Sequence, residues 1–200
     1  MPQQSRGVRG RPRQFDTDNA LDLAMQVFRS KGYHSASISD LSEGMQLTAG
    51  SIYKAFHDKR NLFLQVFARY TSLRNTALSQ RLAALPTGRE KIAALLHFYL
   101  ESASSVEGRR GCLVVGSAIE LQQFDPELSG LVTTALQRNQ QGILQLIQQG
   151  QQDGSVNPQC NAEALASMLL CLVLGMRVAG KLNDLPAQEQ IVSTALVLLD

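Results

Sequence analysis

The sequence predicts an all-α protein, with a small N-terminal helical unit followed by a larger helical body. Apolar residues recur at three- and four-residue intervals through most of the 200 residues, which is the spacing of one face of a helix. Strand signals are nearly absent, because no run of alternating β-branched residues lasts long enough. Residues that begin and end helices divide the chain repeatedly, and we expect about nine helices.

Charge is unevenly divided between the two parts. Residues 1–60 hold nine Lys and Arg against six Asp and Glu, a net of +3, whereas residues 61–200 hold ten against eleven, a net of −1. A basic head on a nearly neutral body suits a protein whose head touches phosphate.

The composition also predicts a cytoplasmic protein with no membrane contact. The start is polar and arginine-rich, without the apolar segment of a signal peptide. The longest apolar stretch, 168–176, is shorter than the roughly 20 residues that span a bilayer. Three cysteines at unrelated spacings fit a reducing compartment and no structural disulfide.

Residues 1–14 are expected to form a basic arm. Arginines alternate there with Gly, Val and Pro, and the segment has too few apolar groups to fold alone. Two interpretations stay open. The arm is a solvated tail, or its arginines, among them Arg11 and Arg13, lie along phosphates or enter a minor groove.

The first helix is predicted from about residue 16 or 17 to Lys31. Its apolar stripe contains Leu21, Ala24 and Phe28, and Gly32 closes it as a left-handed cap. Its role is structural, since the stripe covers the two helices that follow.

Residues 37–56 predict two short helices joined by a tight turn. Ser37 and Asp40 have the spacing of a capping box, and Thr48 can cap the second helix. Ile52 and Phe56 point inward, four residues apart. The opposite face begins with small residues and carries a phenol and an amine one turn later: Ala49, Gly50, Ser51, Tyr53 and Lys54. A helix that lies in a major groove needs this profile.

The run LSEGMQLTAGSIYKAFHDKRNLF resembles the helix-turn-helix of the TetR family of transcriptional regulators. The shared pattern is small-Gly-Ser-apolar-Tyr-x-x-Phe-x-x-Lys-x-x-Leu, and it is matched at Ala49, Gly50, Ser51, Ile52, Tyr53, Phe56, Lys59 and Leu62. The resemblance covers roughly the first third of the chain. It implies a regulator that binds double-stranded DNA as a homodimer, with contacts from Ser37, Ser39, Thr48, Ala49, Gly50, Ser51, Tyr53, Lys54 and Lys59.

The turn departs from the family pattern at one position. The family usually places Gly where this chain has Gln46, and this chain has Gly44 two residues earlier. A left-handed Gln46 would cost about 1 kcal/mol.

A fourth helix is predicted from the cap Asp58 to about Leu82. Lys59 lies in its first turn, and a helix N-terminus with a lysine favours phosphate. This helix is long enough to leave the head and enter the body. We therefore divide the chain into the arm, a DNA-binding domain at 15–60 and an effector-binding and dimerisation domain at 61–200.

The body is predicted to contain five further helices, separated by Gly, Pro and Asn. They cover about 89–104, 112–124, 125–152, 162–182 and 186–200. The stretch RRGCLVVGSAIEL resembles the NemR-like subgroup of the same family, in which a Gly-Cys pair opens the second of these helices.

Cys112 is the principal candidate sensor of an effector. A helix start and the neighbouring Arg109 and Arg110 would favour its thiolate, and His97 and Tyr99 could face the same ligand. The alternatives are an inert core cysteine and a core or pocket histidine.

The last two helices carry more apolar surface than one chain can bury. We expect them to form a two-fold dimer interface, which the family resemblance also implies. Its predicted members are Cys171, Gly175, Ala179, Ile191, Ala195 and Leu198.

The sequence as a whole predicts a repressor released from a near-palindromic operator by a small molecule or an electrophile. An activator or a regulator without an effector is the first alternative, and a small helical enzyme using Cys112 is a remote one. A third alternative is a structural dimer without DNA binding. The sequence offers no metal spacing, no cofactor motif and no catalytic group of residues.

Overall fold

The computed structural model describes residues 16–200, and within that range the chain is all-α, as predicted. The N-terminal arm, with Arg11 and Arg13, lies outside the described residues. Ten α-helices and two short 3-10 helices, Leu121–Gln123 and Val197–Leu199, follow one another in this range. The α-helices are α1 Thr17–Lys31, α2 Ile38–Met45, α3 Ala49–Phe56, α4 Lys59–Leu82, α5 Gly88–Ser102, α6 Ser105–Arg110, α7 Leu113–Ile119, α8 Pro126–Asp153, α9 Ala162–Leu182 and α10 Gln188–Leu196.

Capping side chains fix the starts of the helices in the head. Asp16, Thr48 and Asp58 each accept a hydrogen bond from a backbone N–H in the first turn of α1, α3 and α4. Ser37 and Asp40 form the expected capping box of α2. Caps satisfy donors that a helix start leaves unpaired, so they fix where each helix begins.

Gln46 in the α2–α3 turn is left-handed, with φ 56° and ψ 38°, as the glycine that the family usually places there would allow. Gly44 has a different role. A Cβ atom placed there would lie 2.4 Å from Val27 Cγ2 of α1, so this glycine lets α2 pack closely on α1.

The region between α5 and α8 differs from the prediction. Residues 106–111 were expected to be a loop, yet 105–110 form the short helix α6. The helix expected over 112–124 ends at Ile119 and continues as a 3-10 turn. Gly108 allows α6 to lie close against the end of α5. A Cβ atom at this position would lie 2.1 Å from the Ala103 carbonyl oxygen.

Two buried clusters hold the molecule together. The first joins the helix-turn-helix to α4, α7 and the start of α8, with Phe28, Phe63 and Val132 among its members. The second joins α5, the end of α8, α9 and α10. The head therefore shares one apolar core with part of the body, and movement of α7 or α8 presses directly on it.

Helix α9 is long and apolar enough to cross a bilayer by length and composition, with mean hydropathy 1.8. The apolar stretch noted in the sequence, 168–176, covers only part of this helix, which spans Ala162–Leu182. One face of α9 packs in the body core through Leu169, Val173 and Met176, and another face carries exposed apolar side chains.

Candidate nucleic-acid interface and body cavity

Helix α3 presents the predicted face to solvent. Ile52 and Phe56 are fully buried, and they fix the rotation of the helix on the head core. The face that remains exposed is the one expected to meet DNA: Ala49, Gly50, Ser51, Tyr53 and Lys54. Tyr53 is 48% exposed although it is a large aromatic side chain.

Gly50 is the most informative residue of this face. A Cβ atom added there would find only Thr48 Oγ1, at 4.0 Å, so nothing in the described chain requires a glycine. Gly in a helix costs roughly 0.5–1 kcal/mol relative to Ala. The cost is explained if another molecule approaches this point closely.

The hydroxyls beside Gly50 are held in place. Thr48 Oγ1 lies 2.9 Å from Ser51 Oγ and accepts from the Ser51 N–H at 3.2 Å. Ser37 is committed to its capping box, in which its hydroxyl donates to Asp40 at 2.7 Å. Ser39 on α2 is exposed.

Lys59 requires a correction. Its ammonium donates to the carbonyl oxygens of Tyr33 at 2.9 Å and Ala36 at 3.0 Å, lies 3.5 Å from that of His34, and sits over the Tyr33 ring. An ammonium has three donors, and these contacts engage them within the head. We therefore expect Lys59 to support the fold and not to contact phosphate. Lys59 holds the α1–α2 connection against α4.

A cavity of about 370 Å³ lies in the body between α4, α5, α7, α8 and α9. Cys112 and Tyr99 line it, as predicted for the effector site. His97 does not, and that expectation is corrected. The His97 ring lies 3.5 Å from Glu189, because its face of α5 turns toward α10.

The surroundings of Cys112 also differ from the prediction. Arg109 pairs with Asp184 at 3.5 Å and Arg110 with Glu107 at 2.7 Å, so neither accounts for the thiol's electrostatics. The Tyr70 hydroxyl instead donates to Cys112 Sγ at 3.4 Å. Arg177 and Arg74 line the same cavity.

These contacts lower the pKa of the Cys112 thiol. Burial alone would raise that pKa, but the hydrogen bond from Tyr70 and the positive charges of Arg177 and Arg74 outweigh it. Burial and the proximity of Cys112 raise the pKa of Tyr70, which therefore stays protonated and able to donate. The site favours a thiolate, the reactive form of cysteine.

The sequence did not identify Tyr70, Arg74 or Arg177 as site residues. Tyr70 belongs to the apolar stripe of α4 and is indistinguishable from core by spacing. Arg177 did leave a signal, since it is a lone arginine inside the apolar run of α9. Arg74 left none.

The predicted interface residues divide into two groups. On α9, Cys171 and Gly175 are exposed and continue a stripe that includes Met168, Val178 and Leu182. Leu198 of the 3-10 helix after α10 is 38% exposed, whereas Ala195 of α10 is 6% exposed and belongs to the body core. The expectation for Ala195 is therefore corrected, because its side chain points inward.

Contacts across the head–body boundary connect the two candidate sites. Arg29 of α1 donates to the Gly111 carbonyl oxygen at 2.8 and 3.0 Å, one residue before Cys112. Glu120, which follows α7, accepts from the Tyr33 N–H at 3.1 Å. Arg60 of α4 pairs with Asp125 at 2.7 Å, at the start of α8.

A capped helix pair with a solvent-facing second helix, placed on a helical body that encloses a cavity, defines a helix-turn-helix DNA-binding regulator. Family models match both parts of the chain: "Bacterial regulatory proteins, tetR family" over residues 20–66 and "Tetracyclin repressor-like, C-terminal domain" over residues 88–196. The chain belongs to the TetR family of DNA-binding transcriptional regulators.

Named relatives agree with this assignment. The chain is 28% identical to the HTH-type transcriptional repressor ComR of Escherichia coli (strain K12), over 95% of this chain and 91% of ComR. It is 27% identical to the regulator YezE of Bacillus subtilis (strain 168), over 96% of this chain and all of YezE. These relatives are described as transcriptional regulators and not as enzymes.

A solved structure extends the likeness to a DNA complex. A cysteine-substituted variant of the TetR family regulator CifR, complexed with 26-bp double-strand operator DNA, is 30% identical to this chain. It covers 96% of this chain and 100% of its own, with a TM-score of 0.81.

Proposed function

We propose that this chain is a homodimeric, cytoplasmic repressor that leaves a near-palindromic operator when a small molecule or an electrophile occupies the body cavity. The observation that carries the proposal is the cavity itself, in which a thiol, a phenol and arginines converge beneath the contacts to the head. Its relatives ComR, BdcR and DhaR are described as repressors, which supports this direction of control.

The DNA contact is assigned to the exposed face of α3 with help from Ser39. Ala49, Gly50 and Ser51 lie where bases would be read, and Tyr53 and Lys54 lie one turn later, where a phosphate backbone would pass. The arm residues Arg11 and Arg13 are proposed to follow phosphates beside this contact.

The dimer is assigned to the apolar stripe of α9 together with the exposed residues of α10 and of the 3-10 helix that follows it. Val178, Leu182 and Val197 are 49%, 75% and 63% exposed in one chain, and a second copy would cover them in a two-fold arrangement. The same pairing would set the spacing of the two heads. Half-sites on DNA lie about 34–36 Å apart, so moving the heads a few Å costs base contacts on both sides.

The switch is assigned to the elements around Cys112. A ligand or an adduct there acts on α7 and Gly111, and the contacts of Arg29 and Tyr33 transmit the displacement to α1 and the head. The ligand shifts the population toward a dimer with wrongly spaced heads. The resemblance of the sequence around Cys112 to NemR-like regulators is consistent with this role. That resemblance is itself still a prediction.

Two measurements test the proposal. In a fluorescence-anisotropy titration, the full chain should bind DNA flanking its own gene and should bind unrelated DNA more weakly at the same salt. In cells, deleting the gene should raise transcription from the flanking promoter. Reduced transcription would identify an activator, and the absence of any DNA binding would contradict the proposal.

A further inference from the structure

Arg177 is a buried arginine that forms no ion pair with a carboxylate of the described chain. It is 2% exposed on α9, and two of its three guanidinium nitrogens, Nε and Nη1, have no hydrogen-bond partner among the described residues. The third, Nη2, donates to the Gly111 carbonyl oxygen at 3.2 Å. Unsatisfied buried donors are rare in proteins, and a charged one is the most costly kind.

The carboxylates that line a cleft together with Arg177 are already paired with other cations. Glu101 and Glu107 share a cleft with it on one side. Glu101 pairs with Arg81, and Glu107 pairs with Arg29 and Arg110. The described chain therefore supplies no carboxylate partner within 4 Å of Arg177.

On its other side Arg177 lines the body cavity, whose lining contains no acidic residue. Arg74 and Arg138 line the same space, and Arg138 is exposed at the surface of α8. Phe67, Val114, Leu131 and Leu174 supply apolar walls. The cavity is thus positive at one part of its lining and has apolar walls at another. Neutral polar side chains complete the lining: Thr71, Ser72, Asn75, Thr76, Thr134 and Asn139.

Two other possible partners for Arg177 do not fit the geometry: Cys112 and a second copy of the chain. Cys112 Sγ is not within hydrogen-bond distance of Nε or Nη1, although it lies in the same cavity. A second copy packed on α9 would meet a residue that one chain already buries almost completely. The body cavity, which Arg177 lines and which holds no acidic residue, is the space that best suits an added anionic acceptor. Nε and Nη1 are themselves buried, so the guanidinium must turn toward the cavity to meet it.

We infer that the body cavity binds a small carboxylate with an apolar body, and that Arg177 holds its anionic head. The inference deepens the proposed function, since it names the chemical class of effector for the same cavity. A carboxylate binds one edge of a guanidinium with two hydrogen bonds, either from Nε and Nη2 or from Nη1 and Nη2. It would therefore satisfy one of the two unpartnered nitrogens of Arg177 directly. The volume of about 370 Å³ lies within the range of pockets that bind small molecules, about 300–1,000 Å³.

The position of Arg177 also connects such a ligand to the head. The Gly111 carbonyl oxygen accepts from Arg177 of α9 and from Arg29 of α1. A carboxylate that draws the guanidinium into the cavity competes with Gly111 for Arg177. The contact that remains, from Arg29, lies on the helix that supports α2 and α3.

Calorimetry on the full-length chain without DNA tests the inference. The probes are octanoate, decanoate and 4-phenylbutyrate, each compared with its neutral primary amide. At least one carboxylate should bind about tenfold or more tightly than its amide, as expected for a buried charge-assisted pair. Arg177→Met should abolish this preference, and Arg177→Lys should keep part of it. Arg109→Met, which removes an exposed arginine outside the cavity, should leave it unchanged.

Equal affinities for all acid–amide pairs in the wild type, or a preference that survives Arg177→Met, would overturn the inference. Thermal melts of the ligand-free variants show whether each one folds. If Arg177→Met does not fold, the acid–amide preference of Arg177→Lys is compared with that of the wild type instead. Anisotropy with operator DNA separates the two proposals. Carboxylate binding that never releases DNA contradicts the effector role and leaves the binding inference intact, whereas a chain that binds DNA but prefers no carboxylate contradicts the inference alone.

Discussion

At the scale of single residues, Gly50 gives the simplest test of the proposed DNA contact. A side chain at this position would meet no other part of the described chain closely. Gly50→Leu places a side chain into solvent in the free protein, and Leu is also the better helix former. We expect an unchanged or higher melting temperature together with loss of specific operator binding. The measurement is anisotropy with specific and non-specific DNA, accompanied by a thermal melt.

Gly130→Leu is the matched control, since Gly130 on α8 also has nothing within 4 Å of an added Cβ. It should retain operator affinity. Wild-type affinity in Gly50→Leu would show that α3 docks on DNA in another orientation.

Cys112 is predicted to be the reactive thiol of this chain. Its pKa lies below the ordinary value of 9.0, so a larger fraction of thiolate exists near neutral pH. N-ethylmaleimide should modify Cys112 faster than Cys160 or Cys171 near pH 7, and the rate should reach its plateau at a lower pH than for an ordinary thiol. Mass spectrometry of peptides after timed quenching measures this directly.

The functional part of the prediction concerns DNA release. Modification should release operator DNA from the wild type, while Cys112→Ser should bind DNA normally and ignore the reagent. Tyr70→Phe removes the hydrogen bond to the sulfur and should slow the reaction by raising the pKa of Cys112. If the three cysteines react equally, or if modification leaves DNA binding unchanged, Cys112 is a wall of the cavity and not a sensor.

At the scale of elements, the α2–α3 turn carries a measurable strain. Gln46 is exposed and left-handed, a conformation that costs a non-glycine residue about 1 kcal/mol. Gln46→Gly should therefore raise the free energy of unfolding by about 0.5–1 kcal/mol, after part of the gain is offset by the greater freedom of the unfolded chain.

Gly44→Ala, in the last turn of α2, should have the opposite effect on stability. Its Cβ would overlap Val27, so α1 and α2 must separate, and we expect a loss of about 1–3 kcal/mol. Urea unfolding curves measure both changes. A destabilised Gln46→Gly would mean that the Gln46 side chain makes a contact that outweighs its backbone strain.

The α1–α2 connection gives a test of the corrected role of Lys59. Removing its ammonium in Lys59→Ala leaves the carbonyls of Tyr33 and Ala36 without their donor, and we expect a loss of about 1–2 kcal/mol in stability. The salt dependence of DNA binding should stay the same, because no phosphate contact is lost.

Lys54→Ala is the informative comparison for Lys59. Lys54 is exposed on α3, and losing a phosphate contact there should lower the salt slope by about 1 per monomer without changing stability. If instead Lys59→Ala lowers the slope while the melting temperature stays constant, Lys59 turns toward DNA in the complex.

At the scale of the whole molecule, the head could be predicted because its signals are local. Much of the body could not, because its site depends on contacts between distant segments. Capping residues and the spacing of Ile52 and Phe56 lie within one short segment, so α2 and α3 follow from nearby residues alone. The cavity instead joins Tyr70, Cys112 and Arg177 from three distant segments. Helix periodicity cannot show which distant faces meet, and for the same reason it assigned His97 to the wrong side of α5.

The proposed dimer also concerns the whole molecule, and Gly175 allows it to be tested without disturbing the single chain. Gly175 is exposed, and an added Cβ meets nothing within 4 Å. The carboxylate of Gly175→Glu is therefore solvated in a monomer, whereas in a dimer packed through α9 it becomes a buried unpaired charge costing several kcal/mol. Sedimentation velocity should show folded monomer, with helical content by circular dichroism equal to the wild type.

Operator binding should weaken in the same variant, because two linked heads bind successive half-sites far better than one. Gly116→Glu on α7, also exposed and in open space but away from the α9 stripe, should remain dimeric. If Gly175→Glu is a well-folded dimer at wild-type concentrations, the interface lies on another face. The exposed side chains of Val178 and Leu182 would then need a different partner.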